Sequence, residues 1–117
     1  MSDVWPTELR IKDHGRNFEM SLESGEHLLI PAELLRVESP SAEVKGHGPG
    51  QETLVWGKRH VLIMKADPVG NYAVRLHFND GHDTGLYTWG YLAELGRNQT
   101  TKMSAYEEKL KFAKLSR

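Results

Sequence analysis

The chain has 117 residues, 38% of them hydrophobic and 26% charged, with a net charge of −1. This is enough for one domain with one modest core, and it lacks the basic excess of a nucleic-acid-binding domain. It contains no cysteine, which excludes disulfides, thiolate metal sites and a cysteine nucleophile. No apolar run reaches the ~18 residues of a membrane helix. The opening MSDVWPTELR lacks the basic and apolar regions of a secretory signal. A cytoplasmic protein is therefore expected, with neither nucleic acid nor membrane as partner. Charge is uneven: Arg97 onward holds six Lys/Arg against two Glu, and the residues before it hold nine against fourteen. An acidic body thus carries a basic tail.

The first predicted strand runs from Glu8 to Asp13, after Pro6. Asn17 to Leu22 alternates Phe18, Met20 and Leu22 with Glu19, Ser21 and Glu23, the period of a half-exposed strand. Ser24-Gly25 turns the chain and His27 to Ile30 returns, a β-hairpin. Pro31 suits the first position of a short helix over 31–37, which must stop before Pro40. Residues 39–43 read as a turn or a single helical turn. Lys45 to Gln51 is loop; its glycines lack the GxxxxGK[ST] and GxGxxG spacings of phosphate-binding turns.

His60 to Asp67 is an apolar run whose weak alternation predicts a strand buried on both faces. Tyr72, Val74, Leu76 and Phe78 then alternate with Ala73, Arg75 and His77, a half-buried strand. Asn79-Asp80-Gly81 provides turn chemistry, and Thr84 to Tyr87 reads as the return strand. Trp89, Leu92 and Leu95 form the stripe of a short helix over 89–96, with Gly96 where a terminating glycine would sit. Asn98 to Met103 reads as a linker. Ser104 and Glu107 have the spacing of a capping box, and Tyr106, Leu110 and Ala113 form a thin stripe. The predicted core is Phe18, Met20, Leu22, Leu29, Val61, Ile63, Val74, Leu76, Leu92 and Leu95.

Few residues carry a chemical signal. His82 lies between Asp80 and Asp83, with His77 nearby; a histidine among carboxylates can ligate metal or act as a base. The plainer reading is a turn closed by local hydrogen bonds. Trp5, Trp56 and Trp89 with Tyr72, Tyr87 and Tyr91 can stack ligands, though large aromatics more often fill cores. Arg36 suits either a buried anchor or an anion contact. Arg36, Asp80, Asp83 and Trp89 are the candidate contact residues. No serine sits in a nucleophile elbow, and no residue pattern argues for an enzyme.

LLRVESPSAEVKGHG followed by PVGNYAVRLHFNDGHDTGLYTWGYLAEL resembles the gamma-butyrobetaine hydroxylase-like N-terminal domain, over roughly residues 6–96. The resemblance implies a domain found alone in many bacteria without a defined activity. It also implies kinship with the domain that precedes the catalytic barrel of iron- and 2-oxoglutarate-dependent hydroxylases, or that is joined to a P-loop iron–sulfur carrier. In the hydroxylases the domain holds zinc through three cysteines and a histidine. On this alignment those positions are Ser39, Ser41, Val44 and His82, so a zinc of that type is not expected. The barrel and its iron triad are absent from the chain, so hydroxylation is not implied.

The expected architecture is α+β: mainly antiparallel, twisted β-sheets packed as a small sandwich, with short helices. Residues 1–97 form the domain and 98–117 a basic, partly helical or disordered tail whose loss should matter little. The expected function is a non-catalytic accessory or protein-interaction module linked to iron-dependent or iron–sulfur chemistry. The alternatives are a metal-binding protein centred on His82 and a small enzyme of unknown reaction. No cofactor is expected, weak zinc or iron binding at His82 being the alternative. The expected partner is another protein, and a homodimer is compatible with the sequence.

Overall fold

The computed structural model describes residues 4–46 and 50–117. Two three-stranded antiparallel sheets are each built as a meander. The first contains β1 (Pro6–Lys12), β2 (Asn17–Leu22) and β3 (His27–Pro31). The second contains β4 (Ile63–Val69), β5 (Ala73–Phe78) and β6 (Leu86–Thr88). Between the sheets in sequence lie α1 (Ala32–Val37) and α2 (Ala42–Lys45); α3 (Trp89–Arg97) and α4 (Gln99–Ala113) follow them. The fold is α+β, as expected. Among the described residues no helix is long and apolar enough to cross a membrane.

The period-two pattern explains β2 and β5. Phe18, Met20 and Leu22 on β2 and Val74, Leu76 and Phe78 on β5 are all buried, because alternate side chains share one face. Phe18 pairs with Ile30 and Met20 with Leu28 across β2 and β3. This register buries Leu28 and Ile30 and turns Leu29 outward, so Leu29 leaves the predicted core. Val74 pairs with Tyr87 across β5 and β6, and Tyr87 is fully buried. Both sheets, α1 and α3 contribute to one hydrophobic cluster.

Several expectations change. β4 is an edge strand with Met64 exposed, not a strand buried on both faces. A register irregularity between Ile63 and Lys65 marks a bulge there, a common feature of edges. β6 begins at Leu86, because residues 82–85 are irregular. Pro31 caps α1 from outside its first turn. Gly96 does not end α3, which continues through Arg97. A Cβ at Gly96 would lie 3.1 Å from the Leu28 Cβ, so this glycine lets the helix approach β3 closely.

The tail also differs. No linker separates it: α4 starts at Gln99, directly after Asn98, and Ser104–Glu107 lies inside the helix rather than at its start. Tyr106 and Leu110 are buried in the common core, and the Tyr106 hydroxyl donates to the Val55 carbonyl at 2.7 Å. Arg117 binds Glu33 of α1 through Nε and Nη2.

Two stability measurements test this packing. Leu76→Ala should cost ~2–5 kcal/mol in denaturant unfolding, as expected for a buried leucine. Removal of residues 99–117 should cost at least ~3 kcal/mol, since two large side chains lose their burial. An unchanged thermal midpoint after truncation would show that α4 does not dock.

Candidate functional site

The turn after β5 meets the segment that follows α1. Gly81 takes a positive φ of 91°, and its amide donates to the Phe78 carbonyl at 3.1 Å. The Phe78 amide donates to the His82 carbonyl at 3.0 Å. Asp80 completes the turn by accepting from the His82 amide at 3.0 Å. Its other carboxylate oxygen accepts from Arg36 Nε at 2.7 Å and from Lys58 Nζ at 2.7 Å. One carboxylate therefore joins three chain segments. Burial pushes the Asp80 carboxyl up, but the bonds from Lys58, the His82 amide and Arg36 outweigh it and hold its pKa at about 2. Arg36 thus combines the two roles the sequence offered for it, an anchor whose contact is the Asp80 carboxylate. Its Nη1 is buried without a hydrogen-bond partner among the described residues.

The His82 ring points inward and is buried. Its Nε2 lies 2.8 Å from Ser39 Oγ, 43 residues away in sequence, and its Nδ1 lies 3.5 Å from Glu43 Oε2. The plainer reading of a turn closed locally holds for the His82 backbone and fails for its ring. Burial pushes the ring's pKa below 6.5 and Arg36 adds to this, against opposing pulls from Glu43 and Asp80. The ring is therefore neutral at pH 7. Glu43 beside Nδ1 favours the tautomer with its proton there, leaving Nε2 to accept from the Ser39 hydroxyl.

Neighbouring bonds extend this seam. Ser41 Oγ lies 2.6 Å from Thr84 Oγ1 and caps α2 by accepting from the Glu43 amide. Thr84 Oγ1 donates to Glu43 at 3.0 Å. The Tyr87 hydroxyl donates to the Leu35 carbonyl and the Tyr91 hydroxyl to the Glu38 carbonyl. Burial pushes both phenols up. A Cβ at Gly85 would lie only 2.5 Å from Ser39 Oγ, so the seam closes only over glycine.

Ser39, His82 and Glu43 are connected like a nucleophile, its base and the group orienting that base. Access decides against that role. Ser39 has no exposed surface, and Gly85 backbone fills the space an electrophile would need. The four positions aligned with zinc ligands converge only in part, through the Ser39–His82 bond, and their donors do not fit zinc. Ser39 and Ser41 offer neutral hydroxyls, Val44 offers methyl groups, and the Nε2 of His82 is already engaged. Among the described residues no group of three His, Asp or Glu could hold a metal ion. His47 lies outside the described residues, as do its neighbours at 48 and 49 in the predicted loop.

Two candidates fall outside the seam. Asp83 is exposed and lies 3.9 Å from the Nδ1 of His77, whose Nε2 contacts Asp67 at 2.8 Å. Trp89 Nε1 donates to the Asn71 carbonyl at 2.9 Å. With Trp5 and Tyr72 it lines a surface groove of about 380 Å³. Trp5, Trp56 and Tyr72 are each at least half exposed, so these aromatics do not fill the core. Residue reasoning did not find Lys58 and Glu43, which meet the turn only through tertiary contacts, or the role of Thr84, whose partners Ser41 and Glu43 are distant in sequence.

The model of the gamma-butyrobetaine hydroxylase-like N-terminal family matches residues 9–93. No match was found among curated proteins. A solution NMR structure is similar at 47% identity and a TM-score of 0.83, covering 97% of this chain and 85% of the other. A second NMR structure shares 37% identity with a TM-score of 0.84, covering 99% and 91%. A crystal structure of a DUF971-family protein of unknown function from Acidithiobacillus ferrooxidans shares 41% identity with a TM-score of 0.64, covering 78% and 91%.

The seam has a pH signature. The Asp80 carboxyl titrates lower in the folded chain than its usual 3.8, so it stabilises the fold above pH 3.8 and that contribution disappears as pH falls through about 2. His82, depressed from 6.5, stabilises the fold above pH 6.5 and loses that contribution on acidification below it. Urea unfolding between pH 8 and pH 2 should show both losses, and Asp80→Asn should flatten the lower one. Ser39→Ala strands a buried imidazole nitrogen and should cost ~1–3 kcal/mol. A cost near zero would mean that the Ser39–His82 bond does not form.

Proposed function

The chain belongs to the gamma-butyrobetaine hydroxylase-like N-terminal family, and from that membership we propose that it is a non-catalytic accessory module that binds another protein. One contrast carries this reading. Asp80, His82 and Thr84 of the turn are occupied by Arg36, Lys58, Ser39 and Ser41, whereas Trp5, Tyr72 and Trp89 surround an open groove. Aromatic side chains are enriched at the centres of protein interfaces, because they contribute large area at little entropic cost. Trp5 and Tyr72 are 50% and 53% exposed, which is surface the core does not use. The family setting suggests a partner from iron-dependent or iron–sulfur chemistry. A cytoplasmic location fits that setting.

The same reading makes folding independent of metal. The bond between Ser39 and His82 joins two of the positions that align with the zinc ligands of the hydroxylases, and structural zinc contributes ~10–16 kcal/mol in small domains that depend on it. A chelator should therefore leave the melting curve unchanged. A midpoint that collapses in chelator, or stoichiometric metal in the purified protein, would promote the reading of a metal protein centred on His82.

The interaction itself is tested by cross-linking in native extract, followed by mass spectrometry of the linked species. A protein partner should be captured by the wild-type chain and lost with Trp5→Ser/Tyr72→Ser. It should persist with Phe112→Ser, whose side chain is 91% exposed elsewhere on the chain. Capture that ignores the aromatic substitutions would overturn this surface, and self-linking alone would identify the partner as a second copy.

A further inference from the structure

A separate hollow of about 780 Å³ lies between the left-handed turn Asp13–Gly15 and the segment leading into β4. Its apolar lining includes Pro31 and buried Val61; its exposed lining includes His14, Arg16, Arg59 and His60. The nearby carboxylates are already engaged. Glu33 is held by Arg117 at 2.6 Å, and Asp13 accepts from Asn17 Nδ2 at 2.7 Å. By contrast, the side chains of Arg16 and Arg59 have no hydrogen bond or ion pair among the described residues.

The backbone holds this arrangement firmly. Asp13 and His14 adopt φ values of 56° and 57°, which non-glycine residues rarely take. Gly15 follows, and a Cβ there would lie 2.6 Å from the Ile63 carbonyl oxygen. The turn bearing His14 and Arg16 is thus pressed against the start of β4, next to the segment bearing Arg59 and His60. An exposed arginine alone is ordinarily just solvated. Two of them with two histidines at one concave, partly apolar surface leave the lining with excess positive charge, because Glu33 is paired with Arg117 and the Asp13 carboxylate, bonded to a neutral amide, stands against two arginines.

We propose that this hollow binds a phosphate monoester, with Arg16 and Arg59 holding the phosphate and the apolar wall of Pro31 and Val61 receiving the organic group. Guanidinium forks match phosphate oxygens in pairs and bind them more strongly than neutral donors do. A volume of this size lies within the usual range for small-molecule sites. His14 and His60, on the same lining, supply further donors to the anion.

The probes are inorganic phosphate and phenyl phosphate, titrated into the full chain in physiological salt (~0.15 M) and followed by amide NMR shifts. Phenyl phosphate should shift residues 13–17 and 59–62 saturably and bind more tightly than inorganic phosphate, because only it uses the apolar wall. Arg16→Gln/Arg59→Gln should weaken it by roughly tenfold or more. Arg75→Gln, at an exposed arginine on β5, should leave it unchanged. The spectrum of each variant reports its fold directly. The proposal fails if neither probe saturates, if shifts spread over all exposed cations, or if Arg75→Gln weakens binding as much as the double variant.

Discussion

The fold depends on how the segment between α1 and α2 is held. Residues 38–41 lie outside regular structure, yet Ser39 and Ser41 are buried. Buried polar groups of such a segment must find partners or cost stability. The partners come from a region more than forty residues away. Asp80 takes Arg36, His82 takes Ser39, and Thr84 takes Ser41. Tyr87 and Tyr91 reach the carbonyls of Leu35 and Glu38. Each bond contributes only ~0.5–1.5 kcal/mol net. Their importance lies in the asymmetry: loss of any one partner leaves a desolvated group behind.

This arrangement explains residue choices that propensity alone does not. Gly81 is required by its backbone angle, Gly85 by contact with Ser39, and Gly96 by the approach of α3 to β3. Three glycines in one stretch thus answer three different constraints. Tyr87 is apolar enough to fill the core opposite Val74 and long enough to present its hydroxyl to Leu35. A phenylalanine there would keep the packing and leave the carbonyl short of a donor. Thr88 accepts from the Tyr91 amide and so caps α3, which in turn sets the direction of the Tyr91 side chain toward Glu38.

Much of the fold was legible because its main signals are local. Alternation marks β2 and β5, and the i, i+3 stripe of Leu92 and Leu95 marks α3. Signals that depend on neighbours were not legible. An apolar run such as VLIM reads the same on an edge as at a centre, so β4 was misplaced in depth; its bulge exposes Met64. The thin stripe of Tyr106, Leu110 and Ala113 made α4 look dispensable; Ala113 is exposed, but Tyr106 and Leu110 both reach the common core. The turn at Asp80-Gly81 was readable, whereas the inward rotation of His82 was not, since its partner Ser39 is distant in sequence. The size of Trp5 and Tyr72 favoured packing over ligand stacking, and size says nothing about side: both are exposed.

The interior and the surface therefore divide the chemistry. Inside, the groups that resemble reactive machinery are paired, with the Ser39 hydroxyl enclosed and the His82 ring neutral. A side chain whose hydrogen-bonding capacity is used to join two segments is poorly placed to rearrange around a substrate, because each rearrangement would expose another unsatisfied group. Outside, the aromatic groove and the basic hollow retain capacity that the fold does not consume. They are also built from different elements. The groove draws on Trp5, Tyr72 and the start of α3, and the hollow on the 13–16 turn and the approach to β4. Substitutions in one leave the contacts of the other intact, so binding at each surface is separable from the other and from the seam that holds the fold.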